Sequence, residues 1–215
     1  MVKLTIDNRL IQVENGTTIL QAARMNGISI PTLCYHEAVE PYAACRLCVV
    51  ELASARGKLV AACAQSCEEG MEILTNSLRV QSSRRITAEL LMASGAHLPV
   101  VQDLAHEMGV EHVRYSLPAN DCILCGLCVR ACDELVGAHA ISLVGRGLQK
   151  KFAPPFEIAS AACIGCATCV LICPTGVIKL VDVTPQSHPA HATREPAAFA
   201  ASKACRPSLP MWMRY

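Results

Sequence analysis

Eight cysteines, set in two runs of identical spacing, constrain this chain more than any other feature. Cys122, Cys125, Cys128 and Cys132 form the first run, and Cys163, Cys166, Cys169 and Cys173, with Pro174 directly behind, form the second. Each reads C-x2-C-x2-C-x3-C, the ligand spacing of cubane iron–sulfur clusters. A thiolate at every third residue lets one tight loop wrap three corners of a cube. The fourth cysteine starts a turn or helix leading away, so it ligates the other cube. The spacing therefore predicts one [4Fe–4S] cluster on Cys122, Cys125, Cys128 and Cys173, and a second on Cys163, Cys166, Cys169 and Cys132. Gly126, Gly165 and Ala167 are small where backbone must approach inorganic sulfide. Zinc or disulfides are the alternatives for a cysteine-rich chain, but neither requires this register twice.

The doubled motif resembles a two-cluster bacterial ferredoxin. Pro174 stops further helix after Cys173, as the motif does. The first run has Asp133 at the equivalent position, which leaves the local turn open but keeps the ligand.

A second set lies near the N-terminus: Cys34, Cys45, Cys48 and Cys63, separated by ten, two and fourteen residues. Four thiolates suit zinc as well as iron. The strings IPTLCYH and CRLCVVE, with this wide first gap, resemble the [2Fe–2S] domain of the large iron–sulfur subunit of respiratory NADH dehydrogenase. They are similar, too, to the diaphorase subunit of NAD-coupled hydrogenases and to NAD-dependent formate dehydrogenases. Ala43-Ala44 stands where that family usually has Gly-Ala. Cys67, four residues beyond Cys63, could compete as fourth ligand. The resemblance favours Cys63, because ACAQSCEEGM aligns with the family's AC followed by EEGM. Cys67 then reads as a small buried apolar residue, and Cys205 as a thiol of the tail.

Local patterns agree with an α+β unit around this set. Residues 3–7 and 10–13 alternate apolar and polar about an Asp7-Asn8-Arg9 turn. A helix is expected from Thr18 to Asn26, with Thr17 as its cap and Gly27 at its end. Residues 49–52, 59–62 and 71–74 read as short strands. The resemblance supplies the name β-grasp ferredoxin domain; the periodicity shows only the α+β class. A helix from Ser77 to Gly95 follows, capped by Asn76 or Ser77, with Ile86, Leu90 and Leu91 on its apolar face. A shorter one runs from about Val100 to Met108. The resembled family usually holds a further cluster here, on one histidine and three cysteines. This chain has His97 but no cysteine from Glu68 to Asp121. His97, like His36, His106, His112 and His139, reads as structural. Residues 177–181 read as a strand that could pair with residues 141–144.

The expected organisation is a [2Fe–2S] β-grasp domain at 1–76, a helical linker at 77–118, a bacterial-type 2[4Fe–4S] ferredoxin domain at 119–181 and a Pro-rich extended tail at 182–215. The chain has 215 residues, fourteen of them Cys, and a formal charge of +1. Three oxidised clusters at about −2 each would bring the holoprotein to about −5. With one Trp, three Phe and no basic stripe, nucleic-acid binding is unsupported. The N-terminus carries charge from residue 3 and lacks the apolar core of a signal peptide. Residues 158–178 are uncharged at membrane-span length, but they hold four cluster cysteines, Pro174 and two glycines. A cluster-binding loop explains them better. Clusters need available thiolates, which places the chain in a reducing, cytoplasmic compartment.

No dinucleotide loop, P-loop or nucleophile–base pair stands out, so no substrate-binding catalytic site is expected. The resemblance covers roughly residues 1–181. It implies an electron-transfer subunit of a soluble NAD(P)-linked oxidoreductase, set between a flavin-containing partner and a second redox partner such as a hydrogenase or formate dehydrogenase. A free-standing ferredoxin-like carrier is the alternative, although a carrier rarely needs two cluster domains, a helical spacer and a tail.

Overall fold

The computed structural model describes residues 1–158, 160–180 and 205–207. The chain divides into two compact units, one built from Met1–Glu37 and Pro41–Cys125, the other from Ala38–Glu40 and the chain from Gly126 onward.

Unit 1 is a five-stranded mixed sheet with helices. β1 (Val2–Ile6) and β2 (Arg9–Val13) form an antiparallel hairpin in the register Val2 to Val13 and Ile6 to Arg9. Asp7 and Asn8 take φ of 47° and 64°, the left-handed pair that a two-residue hairpin turn demands. β3 (Val49–Leu52), β4 (Lys58–Ala61) and β5 (Glu72–Leu74) complete the order β2-β1-β5-β3-β4, in which only β1 and β5 run parallel. Asp7 locks that parallel pair: its carboxylate accepts from the Thr75 amide at 2.8 Å and the Thr75 hydroxyl at 2.5 Å.

Helix α1 (Ile19–Met25) begins one residue later than the sequence suggests. Its cap is Thr18, not Thr17, because Gln21 completes a capping box with Thr18. Ile19, Leu20, Ala22 and Ala23 bury against Leu4, Ile6, Val50 and Ile73 of the sheet. Each large side chain so buried contributes about 1.5–3 kcal/mol.

Helix α2 (Leu78–Gly95) is capped by Ser77, whose hydroxyl accepts from the Val80 amide. Its buried face differs from the expected one. Ile86 and Leu90 are each 47% exposed, whereas Val80, Arg84 and Ala88 are buried. Those three follow one another at four-residue steps and so share one face of the helix. Leu91 packs at the edge of a small cluster made by Leu33, Leu47, Ala88 and Leu104. Helix α3 (Pro99–Glu107) opens on proline, which loses nothing at a first helical position. Both helices belong to the same compact unit as the sheet.

Unit 2 is built from short elements: α4 (Leu127–Arg130), a π-helical turn (Ala131–Leu135), β6 (Ser142–Val144), β7 (Lys151–Ala153), α5 (Thr168–Leu171), β8 (Ile178–Leu180) and β9 (Cys205–Pro207). β8 does not pair with β6, contrary to expectation. β6 pairs with β7, and β8 with β9, both antiparallel. For β6, the neighbouring β7 closes a much shorter loop than the distant β8 would. Ala38–Glu40 join this unit because the Glu40 amide donates to the Glu134 carboxylate at 2.6 Å and the Arg130 guanidinium donates to the Glu40 carbonyl. The expected tail, 182–215, lies outside the described residues apart from β9.

Candidate iron–sulfur centres

Cys34, Cys45, Cys48 and Cys63 come together in unit 1. Cys34, Cys48 and Cys63 are each at most 2% exposed, and Cys45 is half-buried. Ala43 and Arg46, either side of the Ala44-Cys45 dipeptide, take left-handed φ of 55° and 58°. Those reversals coil the loop so that amides point at sulfur. The Cys45 amide donates to Cys34 Sγ at 3.4 Å.

The thiols form two hydrogen-bonded pairs, Cys34 with Cys45 and Cys48 with Cys63. The Cys34 hydrogen bond, joined by the amides of Leu47 and neighbours, pulls the Cys45 thiol down to about 5, although burial opposes it. The bond from Cys63 likewise lowers Cys48 to about 7. The donors, Cys34 and Cys63, are pushed up by those bonds and by burial. Each pair thus holds one readily formed thiolate and one proton to be released on metal binding. Among the described residues, no three His, Cys, Asp or Glu side chains gather round a single metal-ion position.

Cys67 stands apart. It lies in the hydrophobic core, its amide donates to the Thr17 carbonyl, and burial alone raises its thiol. The charges acting on Cys63 are those of Cys48, Cys34 and Cys45.

The two cysteine runs fold alike. Leu124 and Gly126 take φ of 54° and 72° on either side of Cys125, and Gly165 and Ala167 take 69° and 62° on either side of Cys166. A left-handed residue then caps a one-turn helix in each run, Gly126 before α4 and Ala167 before α5. Cys128 lies in α4 and Cys169 in α5, and α5 packs against both α4 and the π-helical turn. That turn contains Cys132, whose sulfur accepts from the Ala140 amide at 3.3 Å. Asp133 explains the turn: unlike Pro174 it keeps an amide proton, so the chain runs on helically past the fourth cysteine. Cys122 and Cys125 belong to unit 1, where Cys122 Sγ accepts from the Leu124 amide at 3.4 Å.

Two hydroxyls escaped the sequence reading. Thr168 donates to Cys166 Sγ at 3.3 Å and lowers its thiol. Burial pushes Cys173 up, but the Thr175 hydroxyl at 3.5 Å and the amides of Thr175, Val177 and Ile178 outweigh it, so its thiol is lowered. The available signal was a threonine two residues after a cysteine, present twice in the second run and absent from the first. His97 bonds through Nε2 to Asp121 Oδ1 at 2.7 Å, and His139 to Asp133 at 2.5 Å.

Buried, paired thiols and left-handed loops around cysteine define an iron–sulfur protein. Comparison with known proteins makes this specific. Residues 1–77 match a 2Fe-2S iron-sulfur cluster binding domain, and residues 121–177 match a 4Fe-4S dicluster domain. An NADH-quinone oxidoreductase subunit of Rhizobium meliloti (strain 1021) is 34% identical over 205 residues, covering 83% of this chain and 24% of its own length. An NADP-reducing hydrogenase subunit, HndD, of Solidesulfovibrio fructosivorans is 35% identical over 210 residues, covering 83% and 36%. The crystal structure of an NAD+-reducing [NiFe]-hydrogenase in the H2-reduced state superimposes with a TM-score of 0.64 at 30% identity, over 71% of this chain and 74% of that one. The chain belongs to the family of iron–sulfur proteins found in NAD(P)-linked hydrogenases and NADH-quinone oxidoreductases. It spans about a quarter to a third of the length of the two curated relatives.

Proposed function

We propose that this chain is an electron-transfer subunit of a multi-subunit NAD(P)-linked oxidoreductase, relaying electrons between a flavin-containing, NAD(P)-binding subunit and a second redox subunit. Hydrogenase and formate dehydrogenase are the leading candidates for the second. The observation that carries this reading is the gathering of four thiols in unit 1, three buried and one half-buried, together with two like-folded cysteine loops further along the chain.

The residues fit the groups they would hold. A [2Fe–2S] cluster takes two thiolates per iron, which two hydrogen-bonded pairs supply. Cys34, Cys45, Cys48 and Cys63 would hold it, in a β-grasp domain of about residues 1–76. Residues 77–118 form a helical spacer without the additional cluster that one histidine and three cysteines would hold. In the 2[4Fe–4S] domain, 119–181, Cys122, Cys125, Cys128 and Cys173 would hold one cluster, and Cys163, Cys166, Cys169 and Cys132 the other. Packing of α5 on α4 and on the Cys132 turn supports that crossed arrangement. Among the described residues, unit 2 buries few large apolar side chains, Leu127, Phe152, Val177 and Ile178 among them. A domain of that size relies on metal for stability.

When bound, the clusters supply one-electron uptake and release. The chain's own residues do the rest. Burial of Cys34, Cys48 and Cys63 limits the access of water to them, the left-handed loops aim amides at sulfur, and Thr168 and Thr175 hydrogen-bond the second run, favouring the reduced form there. Among the described residues, no helix is long and apolar enough to cross a membrane. The need for reduced thiols favours the cytoplasm.

Purification from the native source tests the reading. A relay subunit leaves the column in fixed ratio with larger chains that oxidise or reduce NAD(P). Recovery as a lone brown monomer, with NAD(P) activity elsewhere, would overturn it in favour of a free carrier.

A further inference from the structure

Arg84 is a buried cation with an unusual set of partners. It lies on the inward face of α2 between Val80 and Ala88, both fully buried, and is itself only 6% exposed. Its guanidinium donates through Nε to the Leu47 carbonyl at 2.9 Å and through Nη2 to the Val49 carbonyl at 2.8 Å. Those are the two carbonyls flanking Cys48. The fork therefore straddles a proposed cluster ligand along the backbone. Among the described residues, no carboxylate forms an ion pair with Arg84. The negative groups that act on it are Cys48 and Asp7, and the Asp7 carboxylate is already held by Thr75.

A buried charge without a counter-charge is costly, so such charges are paired or sit beside metal centres. Two carbonyl hydrogen bonds could be made by a neutral donor without that cost. The positive charge is therefore the part that needs explaining, and of the two negative groups acting on it, Asp7 is bound by Thr75 whereas the Cys48 thiolate lies on the loop that Arg84 itself holds through Leu47 and Val49. We infer that Arg84 is the built-in counter-charge of the [2Fe–2S] centre on Cys34, Cys45, Cys48 and Cys63, and that it raises the reduction potential of that centre. The inference rests on the proposed [2Fe–2S] reading. Reduction adds one electron and takes the cluster with its four thiolates from about −2 to about −3. A fixed adjacent cation favours the more negative state. Arg84 is thus a positioning and tuning residue, not a ligand.

The test is an anaerobic redox titration of the full-length holoprotein with dithionite, followed by EPR, on the native chain and on Arg84→Gln, Arg84→Met and Arg84→Lys. The neutral variants should reduce their [2Fe–2S] centre with an equilibrium constant lower by about tenfold or more, about 59 mV for a one-electron couple. The other two centres should not move. Arg84→Lys keeps the charge but loses the planar fork, and should stay within about threefold of native. Neutral variants that assemble the centre at native potential would overturn the inference. If they do not assemble it, Arg84→Lys decides alone: a shift of about tenfold or more would mark the fork, not the charge, as what matters. A native chain lacking any [2Fe–2S] signal would instead remove the underlying reading, which the same spectra reveal separately.

Discussion

Leu47 links the packing of α2 to the cysteine loop, and its truncation gives a quantitative test. Leu47 sits between Arg46 and Cys48, is fully buried, and packs with Leu33, Ala88 and Leu104. Leu47→Ala deletes three carbon groups, worth about 2.4 kcal/mol at about 0.8 kcal/mol each. The cavity left between loop and helices adds to that, since hydrogen bonds from the Arg84 guanidinium to the Leu47 and Val49 carbonyls limit collapse. A total of about 3 kcal/mol follows, inside the usual range for buried Leu→Ala. The loss falls on the contact that holds α2 and α3 to the cysteine loop. Hydrogen exchange of the holoprotein should therefore quicken about 100-fold in α2 and α3. The β1–β2 hairpin, whose core is separate, should change little. Unchanged exchange in α2, or equal acceleration in the hairpin, would refute the packing argument.

Further consequences are open to simpler assays. His97→Ala should leave iron content and EPR spectra unchanged and cost less than about 1 kcal/mol, because His97 and Asp121 are both about half exposed. Loss of iron with the fold intact would make His97 a ligand. Gly126→Ala should lower the temperature of iron loss, since a Cβ at φ of 72° costs about 1–2 kcal/mol. Ala167→Gly, at φ of 62°, should be neutral or raise that temperature. Arg114 hydrogen-bonds the Glu89 carboxylate through its side chain and amide and holds it down to about 2. A depressed folded value means this contribution is complete above the unfolded value near 4.3 and is lost as pH falls towards 2. Glu89→Gln should flatten the acid limb of a pH–stability curve and leave its neutral limb parallel.

The cluster loops were legible because a cube dictates ligand spacing to the residue, and Cys122 to Cys132 and Cys163 to Cys173 carry it twice. The hairpin at Asp7-Asn8 and the cap of α2 at Ser77 were equally local, set by turn and hydroxyl chemistry. Arg84 was not legible. A mid-helix arginine ordinarily reads as solvated surface, and only the fold brings it under the carbonyls of Leu47 and Val49. Ile86 and Leu90 misled for the converse reason: apolar residues at helical spacing suggest a buried face, whereas α2 buries the face carrying Arg84. β7 is three residues long and breaks no pattern, so the partner of β6 could not be read, and β8 was matched to the wrong strand. Thr168 and Thr175 lay in plain view, but a hydroxyl two residues past a cysteine acquires meaning only once the loop turns it back to sulfur.

Cluster content is the most direct test of the whole account. Anaerobic iron and acid-labile sulfide assays on the fully assembled chain should give about ten of each, from one [2Fe–2S] and two [4Fe–4S] clusters. A reproducible value near fourteen would mean a fourth cluster in the segment around His97, and a colourless chain holding zinc would contradict the electron-transfer reading altogether.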